Sequence, residues 1–179
     1  MSKRKQRRRA QEKISQGGIN PAILGEPAAI ANAKSIAKKA AQEHLNRGIA
    51  RGFDDPSKLF IDSIDAGIAT IDPANLAQST GFLAMVMPDS LDQARKSAHA
   101  AGANTAKAIS ERITPEQAAE LAKAMGLPAK TMADIAGMAI GMIQGCDAAI
   151  DRYVEVLLTL GEALVRGVDE KAREKLRES

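Results

Sequence analysis

Residues 114–149 read TPEQAAELAKAMGLPAKTMADIAGMAIGMIQGCDAA, and this stretch decides how the rest of the chain is read. Thr114 stands before Pro115, with Gln117 three positions beyond the Thr. A hydroxyl that can cap free N–H groups, a proline that tolerates the first helical position and an amide that can reach back together mark a helix start. Leu121, Ala122 and Met125 then recur at helical spacing until Gly126. Pro128 can open a second helix but cannot continue the first, and Met132 and Ile135 give that second helix an inward face. Across it runs a ladder of small residues every four positions: Ala133, Gly137, Gly141, Gly145 and Ala149. Residues four apart form one ridge of a helix, and a ridge without side chains lets another backbone come close. Interior glycines cost about 1 kcal/mol each relative to alanine, so such a helix needs a partner. That partner can be a helix of the same chain, a neighbouring subunit or a membrane-embedded copy. The competing reading is that Gly137 or Gly145 simply ends a helix.

Composition extends the helical reading to the whole chain. Alanine supplies 34 of the 179 residues, against three Phe, one Tyr and no Trp. Val and the aromatic residues, which favour strands, are scarce, and the expected fold is all-α: an irregular bundle of about six to eight helices with a basic N-terminal arm. Residues 1–19 form the arm, 20–26 a linker rich in Pro and Gly, 27–167 the helical domain, and 168–179 a charged C-terminal helix or tail. Within the domain, helices are expected from Pro27 to Arg47, from Pro56 through a stripe of Leu59, Phe60, Ile64, Ile68 and Ile71, from Ala74 to Met87, and from a Ser90 cap to Ile113. A last hydrophobic helix is expected to stop at Gly167.

Charge is uneven. Residues 1–13 hold Lys3, Arg4, Lys5, Arg7, Arg8, Arg9 and Lys13 against Glu12, whereas the chain as a whole carries +3. A basic arm on a slightly acidic body draws a polyanion to the arm. With no aromatic side chain there to stack on bases, the contact is with phosphates and depends strongly on salt. Nucleic acid is the expected partner, reached through those seven cations.

The search for chemistry gives expected absences. His44 and His99 stand alone among Ala, Lys and Arg and read as surface residues; Asp62 and Asp65 read as a solvated stripe. No cluster has metal-ligand spacing, so no metal and no cofactor are expected. Cys146 is the single cysteine, in an apolar helix without a nearby base, and reads as an inert buried thiol in a reducing compartment. Between Met132 and Ile150 the chain is too short and too marked by Asp134, Gln144 and Asp147 to be a stable membrane span. The opening lacks the apolar core of a secretory signal, so the expected location is the cytoplasm or the inside of a virus particle.

From Ala118 to Gly137, the hydrophobic positions, the small residue in the first helix and the turn glycine resemble the helix-turn-helix family. That resemblance implies a regulator whose second helix reads DNA. Its outward residues would be Ala129, Lys130, Ala133 and Asp134, one cation and one anion where base reading uses mainly Arg, Lys, Asn and Gln. In general character, a short basic arm on a Trp-free body rich in Ala, Met and Gly, the chain is similar to small bacteriophage virion proteins that lie against packaged DNA or form ejection channels. Three functions follow as expectations. The first is a non-enzymatic structural or assembly protein that forms a homo-oligomer or larger assembly and holds nucleic acid through its arm. The second is the helix-turn-helix regulator, and the third a membrane-active, channel-forming protein with the glycine ladder at its contact face.

Overall fold

The computed structural model describes residues 27–76, 88–124 and 132–177, and within them every regular element is helical. Five helices of ten residues or more are present: α1 (Pro27–Arg51), α2 (Pro56–Ile68), α4 (Pro88–Ser110), α5 (Pro115–Ala124) and α6 (Met132–Arg177); a single turn, α3 (Pro73–Leu76), lies between α2 and α4. The all-α class holds, while the five helices and one short turn among the described residues do not establish a count of six to eight.

Proline sets the helix starts. Every element but α6 begins on one, where the missing N–H is one that no helix could have used. The starts of α2 and α5 show the capping in full. The Asp55 carboxylate accepts from the N–H groups of Ser57 and Lys58 at 2.9 and 3.1 Å. Thr114 Oγ1 accepts from Gln117 N at 3.3 Å while Gln117 Oε1 accepts from Thr114 N at 3.0 Å, a reciprocal capping box. Pro88 and Asp89 form the first turn of α4 instead of a break, so the expected Ser90 cap is displaced two residues into the helix, where Ser90 is buried.

Glycine does not set the ends in the same way. Among the described residues only Gly52, at φ +79°, takes the left-handed conformation that closes a helix, donating to Ile49 O at 3.2 Å after α1. Gly48, expected as a stop, is interior to α1, where the bare backbone makes room for Leu59 of α2. Gly137, Gly145 and Gly167 are all interior to α6, which runs unbroken for 46 residues. The expected stop at Gly167 and the alternative stops at Gly137 and Gly145 are thereby corrected. Most of the expected helix from Ala74 to Met87, beyond its first turn at α3, lies outside the described residues.

The core lies where α1, α2, α4 and α6 meet. Leu45, Ile64, Leu76, Ile150, Val154 and Leu157 are its largest fully enclosed apolar side chains. The α2 stripe read from the sequence, Leu59, Phe60, Ile64 and Ile68 with Ile71 just beyond, is buried throughout. From α1 the core receives mainly Ala37, Ala41 and Leu45, and from α4 mainly Ala94 and Ala98, with Leu91 and Ala106 partly buried against it, so helices approach closely there.

Candidate functional site

The glycine ladder is the first feature to place. Gly141 and Gly145 face α4 across a contact so tight that a methyl group on either would strike backbone. A Cβ built on Gly145 would lie 2.7 Å from Gly102 O, 2.8 Å from Phe60 Cζ and 3.0 Å from Ala106 Cβ; one on Gly102 would lie 2.9 Å from Gly145 O. The relation is reciprocal: two glycines on two helices, each occupying the space the other's side chain would need. Gly141 meets Ser110 and the carbonyl of Ala106 in the same way, and Ala149 lies against Gly102. Gly137 is looser, with Ile113 at 3.7 Å and Ala118 of α5 at 4.0 Å from its built Cβ. The contacts run in opposite directions along the two chains, 102 to 145 and 110 to 141, so α4 and α6 are antiparallel. The ridge is thus covered within the chain. The side chain of Ala133 lies outside the described set.

Gly102 is the functional residue of this contact that the sequence reading passed over. Its signal was present: Ala94, Ala98, Gly102, Ala106 and Ser110 form a second ladder at the same four-residue interval.

Polar seams tie the outer helices to α6 and α2. Asp151 on α6 receives Lys38 at 2.7 Å and Lys34 at 3.1 Å, both from α1. Burial by itself would raise the Asp151 carboxyl, but hydrogen bonds and charge from Lys38 and Lys34 outweigh it and hold the group below the ordinary carboxylate range. One turn away, Gln42 Nε2 donates to Asp147 at 2.9 Å. The neighbouring side of α1 carries a shallow, open groove of about 490 Å³ lined by Ala31, Lys34, Ser35, Lys38, Lys39 and Gln42.

Neither histidine is a free surface residue, which corrects the sequence reading. His99 Nε2 lies 2.9 Å from Asp65 Oδ1, the oxygen that also takes Arg95 Nε at 3.2 Å, so α4 grips α2 through one carboxylate. Asp65 therefore belongs to an interhelical cluster and not to a solvated stripe; Asp62 is exposed. Ser63, fully buried, donates its hydroxyl to Leu59 O at 2.7 Å, which leaves its lone pairs to accept from His44 Nδ1–H at 3.1 Å. Pairings 19 and 34 residues apart in sequence have no local signature.

Cys146 is fully buried beside this core, and burial, with a smaller contribution from Asp147, pushes its thiol up to about 12. Such a thiol is not a nucleophile at neutral pH. Among the described residues no group of three His, Cys, Asp or Glu could hold a metal ion, and no helix is long and apolar enough to cross a membrane.

The helix-turn-helix resemblance meets a different geometry. α5 packs on the beginning of α6, but the second helix of the pair is the 46-residue α6 and not a short reading helix ending near Gly137. The turn at Gly126 and the side chains of Ala129, Lys130, Ala133 and Asp134 lie outside the described residues. So do Lys3, Arg4, Lys5, Arg7, Arg8, Arg9 and Lys13.

The structure does add to the charge pattern. α1 itself carries Lys34, Lys38, Lys39, Arg47 and Arg51 against the one carboxylate of Glu43. Through the end of α1 the chain holds 12 Lys and Arg and three Asp and Glu; beyond it, 13 and 19. After residues 14–33, which hold no Lys or Arg, the positive charge therefore resumes on the folded helix α1. Compared with known proteins, the chain matches no family model, no curated protein and no solved structure.

Proposed function

We propose that the protein is a non-enzymatic helical assembly component that holds nucleic acid by its phosphates through the arm cations Lys3, Arg4, Lys5, Arg7, Arg8, Arg9 and Lys13, as an internal component of a particle such as a bacteriophage virion would. The observation that carries this reading is the charge division at Arg51, an excess of nine cations before it and of six carboxylates after it. Such a division draws a polyanion to the N-terminal part of the chain. Support for the non-enzymatic part comes from the engagement of the reactive groups. The thiol is enclosed, one histidine is bonded to a buried serine and the other to an ion-paired carboxylate.

The proposed self-association draws on α6, since α4 already covers the glycine ridge. α6 has 46 residues against 23 in α4, so its last turns outrun that partner. From Arg166 onward every side chain described is exposed, and pairs such as Arg166 with Glu162 at 3.8 Å run along its surface. A polar helix standing off the body is suited to bridging between copies or to a partner.

The test is direct. The full chain and a form lacking residues 1–13 are titrated against labelled DNA duplexes of unrelated sequence over a range of salt, with light scattering to give size. The expected result is binding by the full chain that is indifferent to sequence, weakens steeply with salt and loses most of its affinity with the arm. Affinity that is unchanged by removal of the arm, or binding that singles out one sequence and falls with Lys130→Ala, overturns the reading.

A further inference from the structure

The arm is not the end of the basic region, and α1 offers the surface on which it would continue. Lys39, Arg47 and Arg51 are all exposed, and among the described residues nothing from another helix is bonded to them: Lys39 reaches Glu43, at 4.0 Å, and Arg47 donates to the Glu43 carbonyl. At 1.5 Å per residue these three cations are spread over about 18 Å of helix. Along that length one strand of a duplex presents roughly five phosphates. Beside them Lys34 and Lys38 share a single carboxylate, Asp151, so the groove they line with Lys39 also keeps an excess of positive charge. Glu43 is the one carboxylate on the helix. Between the charges the exposed surface of α1 is mostly short or polar, with Ala28, Ala29, Ala31, Asn32, Ser35, Asn46 and Ala50, and one large apolar side chain, Ile36, is 51% exposed.

Resting on the arm-binding reading above, we infer that α1 is a second, folded phosphate-contacting surface. A nucleic-acid backbone meets Lys39, Arg47 and Arg51 along the outer face of α1, and Lys39, which also lines the groove, carries the contact round the helix toward Lys34 and Lys38 beside Asp151. Recognition is by phosphate alone, because α1 presents no aromatic side chain for a base to stack on. Asp151 acts as the built-in competitor: it occupies the two lysines until a phosphate draws on them.

The experiment uses the full chain and a fluorescein-labelled DNA duplex of about 25 base pairs, followed by anisotropy across a series of salt concentrations. Removing the three exposed cations together, as Lys39→Gln, Arg47→Gln and Arg51→Gln, is expected to lower the slope of log affinity against log salt by about 2 to 3, since each phosphate contact contributes about 0.9. Asp151→Asn is expected to act in the opposite direction, tightening binding and steepening the slope by up to about 1 to 2, as Lys34 and Lys38 are released to phosphates. A control triple on α4 and α5, Lys96→Gln, Lys107→Gln and Lys123→Gln, removes the same charge elsewhere and is expected to change the slope by less than about 1. Far-UV circular dichroism of each variant establishes that it is folded.

If the wild-type chain fails to bind the duplex, the arm reading falls and this inference with it. If the wild type binds through its arm but the α1 triple matches it, or the control triple lowers the slope as far as the α1 triple does, the inference alone is overturned. Preferential uptake by phosphatidylserine vesicles that the duplex cannot compete away overturns it as well.

Discussion

Replacing Gly145 by alanine adds one methyl group at the tightest point of the α4–α6 contact, and the structure fixes what it meets. Gly102 O, Phe60 Cζ and Ala106 Cβ lie 2.7, 2.8 and 3.0 Å from the new carbon, all closer than ordinary van der Waals distance. Two of the three cannot yield alone. The carbonyl is part of the α4 backbone, and Phe60 is only 6% exposed. The helices must separate, at an overpacking cost of about 1–3 kcal/mol, against which alanine returns about 1 kcal/mol of helix propensity. The net expectation is a loss of up to about 2 kcal/mol, or up to roughly 8 °C in Tm for a chain of this length. Gly167→Ala supplies the internal standard, for a Cβ there has nothing within 4 Å. It collects the propensity gain alone and is expected to stabilise by up to about 1 kcal/mol. Both are read from thermal and urea melts followed at 222 nm on the two variants side by side. If Gly145→Ala stabilises as much as Gly167→Ala does, the two backbones do not touch, and the account of the glycine ladder given above is wrong.

Three further predictions concern the polar seams, the thiol and the caps. Because Lys34 and Lys38 depress the Asp151 carboxyl in the folded state, its contribution is complete above the unfolded pKa and is lost as pH falls through the lower folded value. With about half the side chain exposed it is worth at most about 1 kcal/mol, so Asp151→Asn is expected to lower the urea midpoint slightly at neutral pH and to converge with the wild type in acid; a gap that is unchanged down to strong acid refutes the pairing. Cys146 is expected to resist a thiol-directed disulfide reagent near pH 8 in the native protein and to react at once in denaturant, and fast native labelling would contradict its burial. Asp55→Ala and Thr114→Ala each remove a cap and are expected to cost about 1 kcal/mol by chemical denaturation, with Asn at position 55 restoring most of the loss.

Much of this architecture could be read locally, and the exceptions share a cause. A helix start is local chemistry: Asp55 before Pro56 and Thr114 with Pro115 and Gln117 carry the whole mechanism within four residues, and both behave as the spacing implies. A glycine is not local in that sense. The same residue closes α1 at Gly52 by its dihedral and admits a neighbouring helix at Gly145 by its lack of a side chain, and only the partner separates the two uses. Gly48, Gly137, Gly145 and Gly167 were open to misreading for that reason. Gly102 escaped because its ladder is made mostly of alanine, which in so alanine-rich a chain blends into the background. The seams were beyond reach altogether: Asp151 finds Lys38 across 113 residues, and no periodicity connects them. The two histidines looked solitary in one dimension and are bonded in three.

A contact made of glycine against glycine and alanine against alanine also shapes the response to temperature. It gains from close approach of backbones while removing little hydrocarbon from water, and it is hydrocarbon hydration that gives unfolding its large heat capacity. Where α4 meets α6, the chain therefore trades steep curvature for flatness, and calorimetry is expected to find a heat-capacity increment below the usual ~12–15 cal/mol/K per residue and a broad, shallow stability dome. A body held in this way changes its stability little between cold and warm surroundings.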